Sequence, residues 1–202
     1  MIIAGAGGVG REALDCCLAV GVEVRCFVDD HLAGQQVRGL PVLSPDEAEP
    51  GEHYLVAVAA PLVRERLAAL LGARGLLPRT IVHPRAIVAP QTTFGPGSLV
   101  MGGAHVSSSV HAGAHCQVQY NATVGHDAVL ADRVTVYPGA NVSGSVRLGE
   151  GVTVGSAACV LQGRTVGAGA FVGAGAVVTR DVAPGVTVVG APARPLQRRD
   201  HT

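Results

Sequence analysis

The chain contains no Lys and no Trp, and only three Phe and three Tyr among 202 residues. Without Lys there is no Schiff-base nucleophile and no phosphate-loop lysine. Any anion must be met by Arg, by backbone N–H groups or by helix ends. Net charge is also missing: 15 basic residues, all Arg, balance 15 acidic ones. That balance argues against a dedicated nucleic-acid binder, which relies on a basic surface. No apolar run approaches the ~18 residues of a membrane helix. The start MIIAGAGGVGREAL has no charged leader region and reads as strand and turn, so a cytoplasmic protein is expected. The five Cys (16, 17, 26, 116 and 159) form no CxxC pair, which fits reduced thiols.

Small aliphatic residues and Gly supply what the aromatics do not. Hydrophobic residues reach 48%, with 28 Gly. Such a core needs many small, regular contacts and favours β-structure.

Leu and Val are divided unevenly. Residues 1–80 hold 12 Leu and ten Val, whereas residues 81–202 hold five and 23. The change predicts a small α/β domain over 1–80 and an all-β domain over 81–202. In the first, strands are expected at Met1–Ala4, Val22–Val28, Tyr54–Ala59 and Ile81–Val82. Helices are expected at Arg11–Val20 and Pro61–Leu71. This alternation implies a small parallel sheet, about half of a dinucleotide-binding fold.

The second part repeats. Every sixth residue from Val82 to Val178 is apolar: 17 positions, 13 of them Val, against about three expected from 33 Val in 202 residues. Four residues after each sits mostly a small or β-branched residue, and Gly clusters one and three residues after it. This is the hexapeptide signature of a parallel β-helix, in which one aliphatic side chain points inward per short strand. Three hexapeptides make one triangular coil, so residues 18 apart should stack at the ~4.8 Å strand spacing.

Gly5-x-Gly7-x-x-Gly10 opens the first helix, with Asp29 and Asp30 after the second strand. Read alone, this is a dinucleotide fingerprint. Only half the fold is present, however, and no hydride-transfer residues follow.

The hexapeptide run ending in VVGAPAR, together with GAGGVGRE, FVDD at 27–30, His83-Pro84 and GHD at 125–127, resembles a known family. It is that of the left-handed β-helix acyltransferases, within the group of sialic acid O-acetyltransferases and UDP-4-amino-sugar N-acetyltransferases. The resemblance implies acetyl-CoA as donor and a sugar or nucleotide sugar as acceptor. It also implies a homotrimer with sites between subunits. It implies that His126 is the general base, oriented by Asp127, and that a backbone N–H at Gly144 holds the oxyanion. Counting 18 from His126 lands independently on Gly144, which would leave an open surface there. Since i and i+1 point apart on a flat strand, the His–Asp pairing requires a corner that turns them together.

By motif position the coenzyme would meet Gly155, Ser156, Gly173 and Ala174, with Gly190–Arg194 near its nucleotide end. Arg164 stands where the repeat wants a small inward residue, so it either turns out toward the coenzyme phosphates or marks a distortion. Gly7, Gly8, Asp29 and Asp30 would hold the acceptor. Family members often carry His in place of Val9, Gly with Asn or Asp in place of Ala59-Ala60, and His in place of Thr135. Two other readings remain open. One is a zinc lyase of the β-helical carbonic anhydrase type, using His105, His111 and His115. The other is a non-catalytic nucleotide-sugar binder. No resident metal is expected.

Overall fold

The computed structural model describes residues 1–196. Positions 197–202, the end of the expected all-β region, lie outside the described residues. The chain begins with a six-stranded sheet. Its elements are β1 (Ile2–Ala4), α1 (Gly8–Ala19), β2 (Cys26–Val28), β3 (Gln36–Val37), β4 (Leu40–Leu43), β5 (His53–Val56), α2 (Pro61–Ala73) and β6 (Leu77–Pro78). The strand order is β3-β4-β2-β1-β5-β6, parallel except for the β3–β4 hairpin.

β1 is central and fully buried, which explains its uninterrupted apolar sequence. Gly10 is required where α1 crosses β1, since a Cβ there would lie 2.0 Å from the Gly5 carbonyl oxygen. Two sequence expectations change. The hairpin β3–β4 has no strong alternation and was not anticipated. The last strand of this sheet is Leu77–Pro78, whereas Ile81–Val82 pairs with Leu99–Val100 in the next structure.

That structure is a three-faced solenoid of two-residue strands. The first face stacks strands starting at Ile81, Leu99, Gln117, Thr135, Thr153, Phe171 and Thr187. The second stacks those starting at Ile87, His105, Thr123, Asn141, Cys159 and Val177. The third stacks those starting at Thr93, His111, Val129, Arg147 and Thr165. Partners are 18 residues apart throughout the repeat, as in Val100↔Val118 and Val124↔Val142. Beyond Val178 the coil shortens: Val166 pairs with Val182 and Val172 with Val188, both 16 apart.

Its interior is the predicted pair of rows, the sixth-residue Val series and the Ala/Val series four residues later. Every sixth residue from 97 to 175 has a positive φ. Half of these corners are Gly; Ser109, His115, Asn121, Asp127, Arg133, Ser145 and Ala157 take the same left-handed turn. The coil geometry therefore demands the conformation at each corner, whatever the residue.

Leu130 and Leu148 stack inside the third face, both 2% exposed. Leu130→Ala is expected to cost about 2–5 kcal/mol, read as a lowered denaturation midpoint, because the prism cannot collapse around the cavity.

The sheet docks on the first face of the solenoid. α1 contributes Ala13, Leu14 and Cys17 to a core shared with Ile81, Leu99 and Met101. The Gln117 side-chain amide donates to the Val56 and Val58 carbonyls at 3.2 and 3.3 Å. Burial raises the Cys16 and Cys17 thiols to about 12 and about 11, which leaves both protonated and inert.

Candidate active site

His126 lies at the corner between the second and third faces, just after the strand Thr123–Val124. Asp127 follows in the left-handed conformation, φ +59°. That turn brings the two side chains together, with His126 Nδ1 2.7 Å from Asp127 Oδ2. A carboxylate only accepts, so Nδ1 carries the proton and donates, leaving the Nε2 lone pair free. The corner is fixed by backbone bonds: Ser145 N–H donates to the His126 carbonyl at 2.7 Å and Asp127 N–H to that of Ser108 at 3.0 Å.

Gly144 lies one coil on, as the 18-residue count requires. A Cβ at 144 would sit 2.6 Å from His126 Nε2, so the ring rests on the glycine. The surface expected to stay open is thus filled by the imidazole, and Gly144 is buried beneath it. Among the described residues the Gly144 N–H meets no protein acceptor. The N–H groups of Ser108, His126 and Gln162, its equivalents in the neighbouring coils, meet none either, so what sets the Gly144 N–H apart is the imidazole that rests beside it. A shallow groove of about 330 Å³ runs along the second face to this corner, lined by His105, Ser107, Thr123, Gly125, Asn141 and Ser143. Nothing in the sequence singles out Thr123 and Asn141. They are ordinary repeat positions, and only the stacking brings them to 2.9 Å of each other beside the base.

Of the positions assigned to the coenzyme, Ser156 and Ala174 are exposed on adjacent coils, whereas Gly155 and Gly173 are buried. A Cβ at Gly155 would lie 2.7 Å from Ala174 N, so that glycine serves the stacking of coils. Arg164 leaves the inward row. Its Nε donates to the Gln162 carbonyl at 3.3 Å and its guanidinium faces Asp181 at 3.8 Å. It occupies the position that Ala128 and Val146 hold in the two preceding coils, with the 18-residue step intact.

A second cleft, of about 180 Å³, lies at the end of β1 and β2. It is lined by Gly5, Val28, Asp29, Asp30, His31, Val58, Val63, Arg66 and Leu67. Exposed Gly7 and Gly8 open α1 beside it, with no acidic residue in the first turn. Asp29 is already engaged: its two oxygens accept from Ala6 N and His31 N, both at 3.0 Å. Asp30 is exposed and faces Arg66 at 3.6 Å. Arg66 was missed because nothing in the helix pattern of α2 marks it.

The departures at Ala59 and Thr135 meet at one buried point. Thr135 Oγ1 donates to the Ala59 carbonyl at 3.2 Å. Thr135 is therefore sealed between sheet and solenoid and does not line an open site in this chain. His105, His111 and His115 do not converge. His111 bonds Thr93 Oγ1, and His115 stacks on Tyr54 with ring centroids 6.1 Å apart. Among the described residues no three His, Cys, Asp or Glu side chains form a metal-holding group within the chain.

A family model described as the PglD N-terminal domain matches residues 1–71. The acetyltransferase domain of PglB from Neisseria gonorrhoeae, solved with acetyl coenzyme A, is 36% identical over 96% of this chain and 98% of that one, TM-score 0.87. WeeI from Acinetobacter baumannii is 31% identical over 96% and 98%, TM-score 0.91. A perosamine N-acetyltransferase from Caulobacter crescentus, a histidine-to-asparagine variant solved with CoA and GDP-perosamine, is 28% identical over 98% and 96%, TM-score 0.92. No curated protein matches the chain in sequence.

The chain belongs to the family of hexapeptide-repeat sugar acetyltransferases and is an acyltransferase. Its solenoid fits the left-handed β-helix that the sequence resemblance implies. No helix among the described residues is long and apolar enough to cross a membrane.

Proposed function

We propose that the protein transfers an acetyl group from acetyl-CoA to an amine or hydroxyl of a nucleotide-linked sugar. One observation carries this reading. His126 is held by Asp127 over Gly144, so a free imidazole nitrogen and an unpaired backbone N–H occupy one corner. The acceptor atom attacks the thioester carbonyl carbon and gives its proton to His126 Nε2. The Gly144 N–H stabilises the oxyanion of the tetrahedral intermediate. The C–S bond then breaks and the coenzyme thiolate takes up the proton.

The donor would lie along the later coils past Ser156 and Ala174, with Arg164 available to its phosphates. The nucleotide of the acceptor would enter the cleft at β1 and β2, its phosphates facing Gly7 and Gly8 and its ribose near Asp29 and Asp30. The relatives solved with CoA, acetyl coenzyme A and GDP-perosamine support both ligands. The groove belongs to the second face of the solenoid and the cleft to the sheet, and the homotrimer with sites completed between subunits that the family resemblance implies would bring such separate surfaces together. The cytoplasm, where acetyl-CoA is available, suits this chemistry.

The test is release of free thiol from acetyl-CoA with a panel of nucleotide-linked and free amino and hydroxy sugars. Saturable release with one of the linked sugars is expected; release with none of the panel refutes the reading. In the same assay Asp127→Asn is expected to lower turnover by more than about tenfold, because Asn can donate to Nδ1 and stabilise the wrong tautomer. The backbone should be retained, since Asn tolerates the left-handed corner.

A further inference from the structure

Arg64, on α2, is 0% exposed yet no carboxylate pairs with it among the described residues. Its NH1 donates to the Val58 and Ala59 carbonyls at 2.8 and 3.1 Å. Its NH2 donates to the Arg133 carbonyl at 2.5 Å and to Thr135 Oγ1 at 2.9 Å. Nε has no partner. Burial pushes the guanidinium down to about 10, a sign that its charge is poorly compensated. Burying a charge with only carbonyls and a hydroxyl is costly, and an apolar side chain of similar volume would fill the space more cheaply. Packing therefore does not account for an Arg here.

Its four acceptors do. Two belong to the segment after β5, where Val58 walls the cleft at β1 and β2. The other two belong to Arg133 and Thr135 of the solenoid, in the coil that follows His126. Beside it, Arg133 forms ion pairs with Glu65 of α2 and Glu150 of the next coil. The fork thus spans the junction with two hydrogen bonds on each side, a planar arrangement that Lys cannot reproduce.

We propose that Arg64 is a positioning residue that sets where the nucleotide cleft stands relative to the acetyl-transfer corners. This rests on the acceptor reading given above. Arg64 touches neither substrate. It acts through Val58 and Thr135, so that a nucleotide-anchored amine arrives at the thioester in a reactive orientation. A free amino sugar, not anchored in the cleft, gains nothing from it.

The experiment compares Arg64→Met and Arg64→Lys with the parent enzyme, using acetyl-CoA and two acceptors. One is GDP-perosamine, or another nucleotide-linked amino sugar that the parent enzyme acetylates; the other is a free amino sugar at high concentration. For Arg64→Met, turnover of the linked acceptor is expected to fall by about tenfold or more. Turnover of the free sugar should stay within about twofold, with Arg64→Lys failing to rescue. An equal loss on both acceptors, as partial unfolding would produce, overturns the proposal, as does no loss on either. Thr135→Val removes one bond of the fork without unburying the cation; it should show the same split and serves if Arg64→Met does not fold. If the parent enzyme acetylates no linked sugar, the functional reading fails separately. The proposal is then judged by the distance between spin labels on α1 and on the solenoid. That distribution should broaden in Arg64→Met, and an unchanged distribution overturns it.

Discussion

His126→Ala is expected to lower acetyl transfer by about 10²–10⁴-fold, the contribution of a positioned general base. The fold should not notice. The imidazole is 56% exposed, rests on Gly144 and bonds Asp127. The structural bonds of the corner run through the backbone: the His126 carbonyl accepts from Ser145 N–H, and Ala keeps that carbonyl. Stability is therefore expected to change by no more than about 0.5 kcal/mol, as at an ordinary surface position. The check pairs thiol release with a denaturation curve. Activity near that of the parent enzyme would remove His126 from the mechanism.

Gly144→Ala is the sharper test, because it moves the base without deleting it. The added Cβ would stand 2.6 Å from Nε2, 2.7 Å from Cε1 and 3.0 Å from Cδ2 of His126. Contacts this short cannot persist. The ring has solvent beside it, so it swings outward and leaves both Asp127 and the 144 N–H. Gly144 has no positive φ, so Ala fits the backbone there. Stability should hold or rise slightly, since Ala restricts the unfolded chain. Turnover is expected to fall by about 10²-fold, the penalty of an ~1 Å misplacement of a reacting group. The double substitution His126→Ala/Gly144→Ala should be little worse than His126→Ala alone, because the first change removes what the second displaces. Fully additive losses would show that Gly144 matters in some way unrelated to the imidazole.

The two substitutions also separate what could be read from the chain and what could not. The solenoid was legible because one structural period is written directly in the residues. Each inward position recurs at six, and coil partners at 18, so Val82 to Val178 fixes both register and stacking. His126 over Gly144 followed from the same count. The sheet was read less well. Its helices α1 and α2 carry ordinary apolar spacing, but β3–β4 lies in an unpatterned stretch. Ile81–Val82 carries the same apolar pair whether it closes the sheet or opens the solenoid.

Sequence alone thus determined a Val-filled prism with a histidine at a chosen corner, and an acetyl-transfer family through its motifs. Those properties depend on local spacing. Tertiary structure alone decided the left-handed turn at Asp127 that joins it to His126, the use of both Asp29 oxygens by backbone donors, and the burial of Arg64 between sheet and solenoid. Each depends on groups distant in the chain or on a backbone angle, and neither leaves a period to read. The absence of Lys gains its physical meaning at the same junction. A guanidinium can bond four carbonyl and hydroxyl oxygens from two elements at once, whereas an ammonium could only sit among them as a point charge.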